Sequence, residues 1–287
     1  MNILVISDLH AGKDDKDWRG GPGQCSNQWL DILHRTQDMI QLHQPDVALI
    51  LGDLIEPEVK RHDPNFWQMV RYQAQEHTKG CPHVFLVAGN NDVEMLDGPI
   101  SGYAKELNRE VAAYGMEVLD GNPMIVNNVG FAGNVGWWDG SLWEKESGRT
   151  KEHTYNRMQE FHEETFGDRA DMTLQEFHRK CYGTLVHDIE RLIIAKCRMI
   201  VVASHTVPAK HFLLYGTSPK YDYKNSYMGW NGDDENHERL TARYPDAIAL
   251  HVCGHTHRSG MFVQPGRAPI VNVSGPDQQP YLFHLDD

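Results

Sequence analysis

The stretch Ile3-Leu4-Val5-Ile6-Ser7-Asp8-Leu9-His10 decides how this chain is read. Four consecutive apolar side chains, three of them β-branched, mark a short strand covered on both faces. Directly behind them come a carboxylate and an imidazole two residues apart. The same construction recurs along the chain. Residues 46–51 (Asp-Val-Ala-Leu-Ile-Leu) lead into Gly52-Asp53, and residues 83–88 (His-Val-Phe-Leu-Val-Ala) lead into Gly89-Asn90-Asn91-Asp92. Residues 199–203 lead into Ser204-His205, and residues 248–253 into Gly254-His255-Thr256-His257. Helical spacing over 27–43, with Ser26 as its cap and Pro45 as its stop, and again over 65–79 predicts a β-α-β-α-β rhythm. That rhythm implies parallel strands with crossover helices.

In open α/β sheets ligands bind beyond the carboxyl ends of the strands. Five strand ends here carry carboxylate, imidazole or amide groups to one edge. In the D-x-H and H-x-H patterns, the alternation of an extended chain would put both side chains on one side. Carboxylate oxygens mixed with neutral imidazoles suit borderline divalent metals such as Mn, Fe or Zn. Asp8, His10, Asp53, Asn90, His205, His255 and His257 are too many ligands for one ion of ordinary coordination number and suit two ions sharing a carboxylate. The glycines before Asp53, Asn90 and His255 are expected to let the backbone turn sharply where strand gives way to loop.

The ordered set D-x-H, G-D, G-N-x-D, H, G-H-x-H resembles the calcineurin-like metallophosphoesterases, and the likeness runs over residues 1–285. The resemblance implies a four-layer α/β/β/α sandwich of two mixed sheets with flanking helices, and a pair of divalent ions, with Mn favoured in vitro. It implies that Asp8, His10 and His257 hold one ion, that Asn90, His205 and His255 hold the other, and that Asp53 bridges them. Two such ions about 3.5–4 Å apart hold a hydroxide for in-line attack on phosphorus. The segment Asn272-Val273-Ser274-Gly275 is similar to the family's stretch that packs near the site.

Asn91 departs from the family pattern, which reads G-N-H-D or G-N-H-E. That histidine contacts the phosphate and is often assigned as proton donor to the leaving oxygen. An amide makes the contact but transfers no proton. His62, His211 and His237 are the candidates to supply one. After the second strand Gly52-Asp53-Leu54-Ile55-Glu56-Pro57 lacks the Arg-Gly of the serine/threonine phosphatase branch, and G-N-N-D differs from the G-N-R-D of the lipid A pathway pyrophosphatases. The missing Arg-Gly and the loss of G-N-H-E count against a protein phosphatase, G-N-N-D against a close match to those pyrophosphatases, and the expectation is a phosphodiesterase acting on a nucleotide or another small diester. A phosphomonoesterase and a non-catalytic metal- and nucleotide-binding protein are the alternatives.

Beyond residue 115 the pattern changes. A helix near 102–114 is followed by a hairpin of 124–126 and 129–133 around Asn127-Asn128, and by an aromatic loop at 136–143. The segments 136–197, with two helices around Gly167 and a charged outer face, and 206–246, rich in Tyr and Gly, read as insertions in one domain of 1–287. Within them Trp137, Trp138 and Trp143, then Tyr215, Tyr221, Tyr223, Tyr227 and Trp230 are either core and subunit-interface aromatics or a wall on which a base or aryl group would stack. Trp137, Trp138 and Tyr223 are the named candidates. Lys60 and Arg61 are placed to meet a phosphate. Residues 260–264, 269–273 and 280–285 read as antiparallel strands broken by Pro-Gly and Gly-Pro.

The net charge of −13, from 27 basic and 40 acidic residues, repels nucleic-acid backbones and argues against a broad nucleic-acid surface. No apolar run is long enough for a membrane helix. Five widely spaced cysteines without a C-x-x-C pair point to the cytoplasm. The expected partner is a small phosphate ester. Oligomeric state leaves no signal in the sequence.

Overall fold

The computed structural model describes residues 1–11, 28–56, 66–142, 150–212, 240–275 and 279–286. Strand β1 (Asn2–Ile6) runs parallel to β2 (Val47–Ile50), which runs parallel to β3 (His83–Leu86) and β3 to the short β4 (Glu117–Val118). The crossovers carry helices α1 (Gln28–His43) and α2 (Phe66–Thr78), as the spacing predicts. Helices α3 (Asn90–Met95) and α4 (Tyr103–Val111) lie between β3 and β4.

A second sheet begins with the hairpin of β5 (Met124–Val126) and β6 (Val129–Asn134). Asn127 and Asn128 both take left-handed backbone there, at φ 49° and 65°, the combination a tight hairpin turn needs. Helices α5 (Lys151–Phe166) and α6 (Leu174–Ile194) come next, then β7 (Met199–Ser204), the one-turn helix α7 (Leu240–Arg243), β8 (Ile248–Cys253), β9 (Gly260–Phe262), β10 (Ile270–Asn272) and β11 (Tyr281–His284). The sheets order as β11-β1-β2-β3-β4 and β5-β6-β7-β8-β10-β9. Both are mixed.

One expectation changes. The tail is not uniformly antiparallel: β9 and β10 form an antiparallel pair, but β10 runs parallel to β8. The chain reverses once into β9 and again around Pro265-Gly266, so β10 regains the direction of β8. Strand β11 leaves that sheet and closes the edge of β1, antiparallel.

The sheets face each other across an apolar layer. Ile3, Val5, Leu49 and Phe85 from one side meet Phe131, Val201, Val252 and Val271 from the other, with the rings of Phe85 and Phe131 5.3 Å apart. The outer face of the first sheet is covered by Trp29, Ile32 and Leu33 of α1, Val70 and Ala74 of α2, and Leu107 and Val111 of α4. The outer face of the second is covered by Leu185, Ile189 and Leu192 of α6. Helix α6 is therefore one of the four layers, although it falls in the stretch that composition alone sets apart as an insertion. Burying side chains of this size contributes about 1.5–3 kcal/mol each relative to exposure. The layers thus hold the strand ends rigidly enough to aim the loops beyond them.

Candidate metal centre

Strands β1, β2 and β3 end at the same edge as β7 and β8, so the loops after all five converge. The loops after β2 and β3 touch backbone to backbone. Gly52 sits at φ 78° with Gly89 against it, and a Cβ on either would run into the other loop. Only Gly52 needs its left-handed turn. Gly89 stays at φ −89°, so its glycine serves close approach to Asp53 rather than the sharp bend expected from sequence. Helix α3, which the spacing does not predict, starts at Asn90. Its first turn is tied by the buried Asp92, which accepts from Gly89 N at 2.8 Å and Leu54 N at 3.0 Å.

Asp8, His10, Asp53, His255 and His257 all adopt positive φ, between 46° and 74°. Residues other than glycine take this conformation only at a cost of about 1–3 kcal/mol, and such strain gathers at functional sites. The D-x-H and H-x-H pairs therefore do not ride on extended chain. Left-handed residues alternate instead, and the side chains at i and i+2 still share one side.

The side chains form two groups whose donor atoms lie within 4.8 Å of one another: Asp8, His10 and His257, and Asp53, His205 and His255. In the first, His10 Nε2 lies 3.0 Å from His257 Nε2 and 3.6 Å from Asp8 Oδ1. In the second, His205 Nε2 lies 3.0 Å from His255 Nδ1 and 3.2 Å from Asn90 Oδ1. Asp53 lies between the groups. Its Oδ1 is 3.4 Å from His205 Nε2 and its Oδ2 is 3.8 Å from His10 Nε2. A divalent cation fits each group. Pairs of imidazole nitrogens point at each other, and Asp8 Oδ1 is buried without a hydrogen-bond partner. Oxygen and imidazole nitrogen donors are what Mn, Fe or Zn take.

The charges agree. Burial works against ionising Asp8, yet the adjacent His10 imidazole and the charges of His257 and His205 hold its carboxyl well below the usual range. Burial likewise opposes Asp53, but His205 and then His10 draw it down to about 2. Burial lowers His10 and His205, and the carboxylates override it. Asp8, Glu56 and Asp53 bring His10 to about 10, and Asp53 brings His205 to about 9. Burial and the neighbouring His205 push His255 down to about 3. Without metal, protons on His10 and His205 balance the two carboxylates, and cations must displace them. Metal binding is therefore expected to release protons, and apparent affinity should fall about tenfold per pH unit for each proton displaced as pH drops below about 9. Mn²⁺ titration calorimetry in buffers of different ionisation enthalpy, at pH 6, 7 and 8, reads both quantities. A pH-independent affinity would contradict the assignment.

Second contacts aim the ligands. His205 Nδ1 meets the carbonyl oxygen of Leu51 at 2.7 Å, Ser7 Oγ donates to Asp8 Oδ2, and Ser274 Oγ accepts from His257 N at 3.1 Å. Glu56 Oε1 lies 2.6 Å from His10 Nδ1. Asn91 donates its backbone N–H to Asp53 Oδ1 at 3.0 Å, and its Oδ1 accepts from Asn90 Nδ2 at 2.8 Å. Sequence reading misses Ser7 and Asp92 in these supporting roles, and meets Glu56 only as a departure from a motif. Their signal is adjacency to a ligand or to a strand end, which many ordinary residues share.

The expected aromatic wall is not where the spacing suggests. Trp137 and Trp138 are 1% and 3% exposed. Trp137 packs edge-on against Phe177 at 4.7 Å, and Trp138 against Phe161 of α5. Trp138 approaches the site, its ring 6.4 Å from that of His255, but neither offers an open face for stacking. Burial of large apolar rings beneath α5 and α6 takes precedence. His211 is exposed and stacked on Phe262. Tyr223, with Tyr215, Tyr221, Tyr227 and Trp230, lies outside the described residues, as do Trp143, His62, His237, Lys60, Arg61 and the Ser26 cap.

A two-sheet sandwich carrying two oxygen–imidazole clusters around one carboxylate is an arrangement able to hold divalent cations beyond the carboxyl ends of its strands. The pattern of the calcineurin-like phosphoesterases matches residues 1–259, and the chain belongs to that family. Phosphopantetheinyl hydrolase from Mycobacterium tuberculosis shares 14% identity and a TM-score of 0.66 over 96% of this chain and 90% of that one. A dimetal phosphatase from Danio rerio shares 15% identity and a TM-score of 0.57 over 97% of this chain and 88% of that one. These likenesses speak to the fold. No curated protein matches in sequence. No helix among the described residues is long and apolar enough to cross a membrane.

Proposed function

We propose that this phosphoesterase hydrolyses small phosphodiesters, nucleotides among them, at a pair of divalent cations held by Asp8, His10 and His257 on one side and by Asn90, His205 and His255 on the other. The observation that carries the reading is Asp53, whose two oxygens face the two groups separately. When bound, two such cations supply an activated water at neutral pH and neutralise phosphate oxygens. Asp53 would be the carboxylate the two cations share, and the backbone N–H of Asn91 holds Asp53 in place. With cations bound, His10 and His205 would serve as neutral donors, their far nitrogens facing Glu56 and the Leu51 carbonyl. Two divalent cations would concentrate positive charge at this edge and draw an anionic ester despite the net charge of −13. Pro57 where the serine/threonine phosphatase branch has its arginine, and Asn91 in place of histidine, count against a protein monoesterase of that branch and support the diester reading. The four described cysteines are free, which supports a cytoplasmic location.

Purified protein with Mn²⁺ is expected to cleave bis-(p-nitrophenyl) phosphate with a higher kcat/KM than p-nitrophenyl phosphate, and to stop when the metal is chelated. A preference for the monoester would replace the diester reading. Binding of metal and nucleotide without turnover of either substrate, across Mn, Fe, Co, Ni and Zn, would replace it with a binding role.

A further inference from the structure

Glu56 does not belong to either ligand group, yet the backbone delivers it to one of them. The loops after β1 and β2 are laced together: His10 N donates to Asp53 O at 2.8 Å, Ala11 N to Leu54 O at 3.0 Å, and Glu56 N to Ala11 O at 3.1 Å. Ala11 and Ile55 form a parallel bridge at the same level. This lacing fixes Glu56 behind His10, with Oε1 2.6 Å from Nδ1 and the carboxyl only 15% exposed. An imidazole whose Nδ1 faces a carboxylate keeps its proton there and turns the Nε2 lone pair outward. Here Nε2 faces Asp8 Oδ1 and His257 Nε2.

The second group is built differently. The far nitrogen of His205 faces a neutral carbonyl, that of Leu51. Its neighbours Asn90 and His255 carry no charge, so its negative charge comes from the shared Asp53. The first group has Asp8 of its own and Glu56 behind His10. Two sites that look alike by ligand count thus differ in charge and in how firmly their histidine is held.

We propose that Glu56 is a positioning residue for His10 that makes the two cation positions unequal, the one at Asp8, His10 and His257 depending on it and the other not. The inference rests on the two-cation reading above. A carboxylate behind a ligating histidine typically changes metal affinity about 10- to 100-fold.

The test is Mn²⁺ titration of the full chain, read by electron paramagnetic resonance and calorimetry, for wild type, Glu56→Gln and Glu56→Ala. Wild type should bind two ions, which reports on the two-cation reading by itself. Glu56→Ala should weaken one of the two about 10- to 100-fold and leave the other within about twofold. Glu56→Gln, which keeps an acceptor oxygen but no charge, should weaken the same ion less, and it decides the matter if the alanine variant does not fold. Equal weakening of both ions would assign Glu56 to general support of the loops and overturn the proposal, and so would no change in either. If the wild type binds two ions and hydrolyses no diester, the reaction assigned above falls while selective weakening still upholds Glu56.

Discussion

Replacing Asp53 with asparagine should lower phosphodiester turnover by at least about a thousandfold, equivalent to roughly 4 kcal/mol of transition-state stabilisation. Among the described residues Asp53 is placed between the two donor groups, with Oδ1 toward His205 and Oδ2 toward His10. An amide keeps the shape and one oxygen but loses the charge and the second acceptor. The fold should persist. Asp53 is 3% exposed, sits at φ 49°, and its charge helps push the carboxyl of Asp92, already raised by burial, up to about 7. Relief of that repulsion is outweighed by loss of the charge that His205 and His10 pair with, which draws Asp53 down to about 2, so the metal-free variant should stay folded and melt somewhat below wild type. A variant that retains turnover, or one that loses it only because it unfolds, would contradict the role.

The second large effect concerns Asn91. Hydrolysis should depend steeply on the leaving group, because an amide cannot hand a proton to the departing oxygen. Across aryl and alkyl diesters the rate should fall about 10²- to 10⁴-fold further than in an enzyme with a general acid at that place. Asn91→His should recover part of that loss for poor leaving groups and change good ones little. The variant keeps the backbone N–H that holds Asp53. What it gives up is the acceptor that orients the amide of Asn90, so metal content has to be measured alongside. If Asn91→His leaves the leaving-group dependence unaltered with both metals bound, protonation is handled elsewhere.

Much of the fold is legible in the sequence, and so are the side chains that the structure gathers into two candidate metal-binding groups. Short apolar runs ending in Asp8, Asp53, Asn90, His205 and His255 announce strand ends because strand period and burial are local properties of sequence. The Asn127-Asn128 turn is legible because few residues tolerate two left-handed positions in succession. The left-handed backbone of Asp8, His10, Asp53, His255 and His257 is not legible, since that strain is imposed by the converging loops. Trp137 and Trp138 are misplaced by sequence for a related reason. Aromatic residues beside a site read the same whether they line a cleft or fill the space under α5 and α6, and only tertiary packing decides. Glu56 escapes because its role depends on the lacing of two loops that are distant from each other in sequence.

The central claim is a pair of cations flanking Asp53, and anomalous diffraction from crystals grown with Mn²⁺ tests it most directly. Two peaks are expected, one among Asp8, His10 and His257 and one among Asn90, His205 and His255, each within bonding distance of a different oxygen of Asp53. A single peak, or peaks that leave Asp53 uncoordinated, would contradict it.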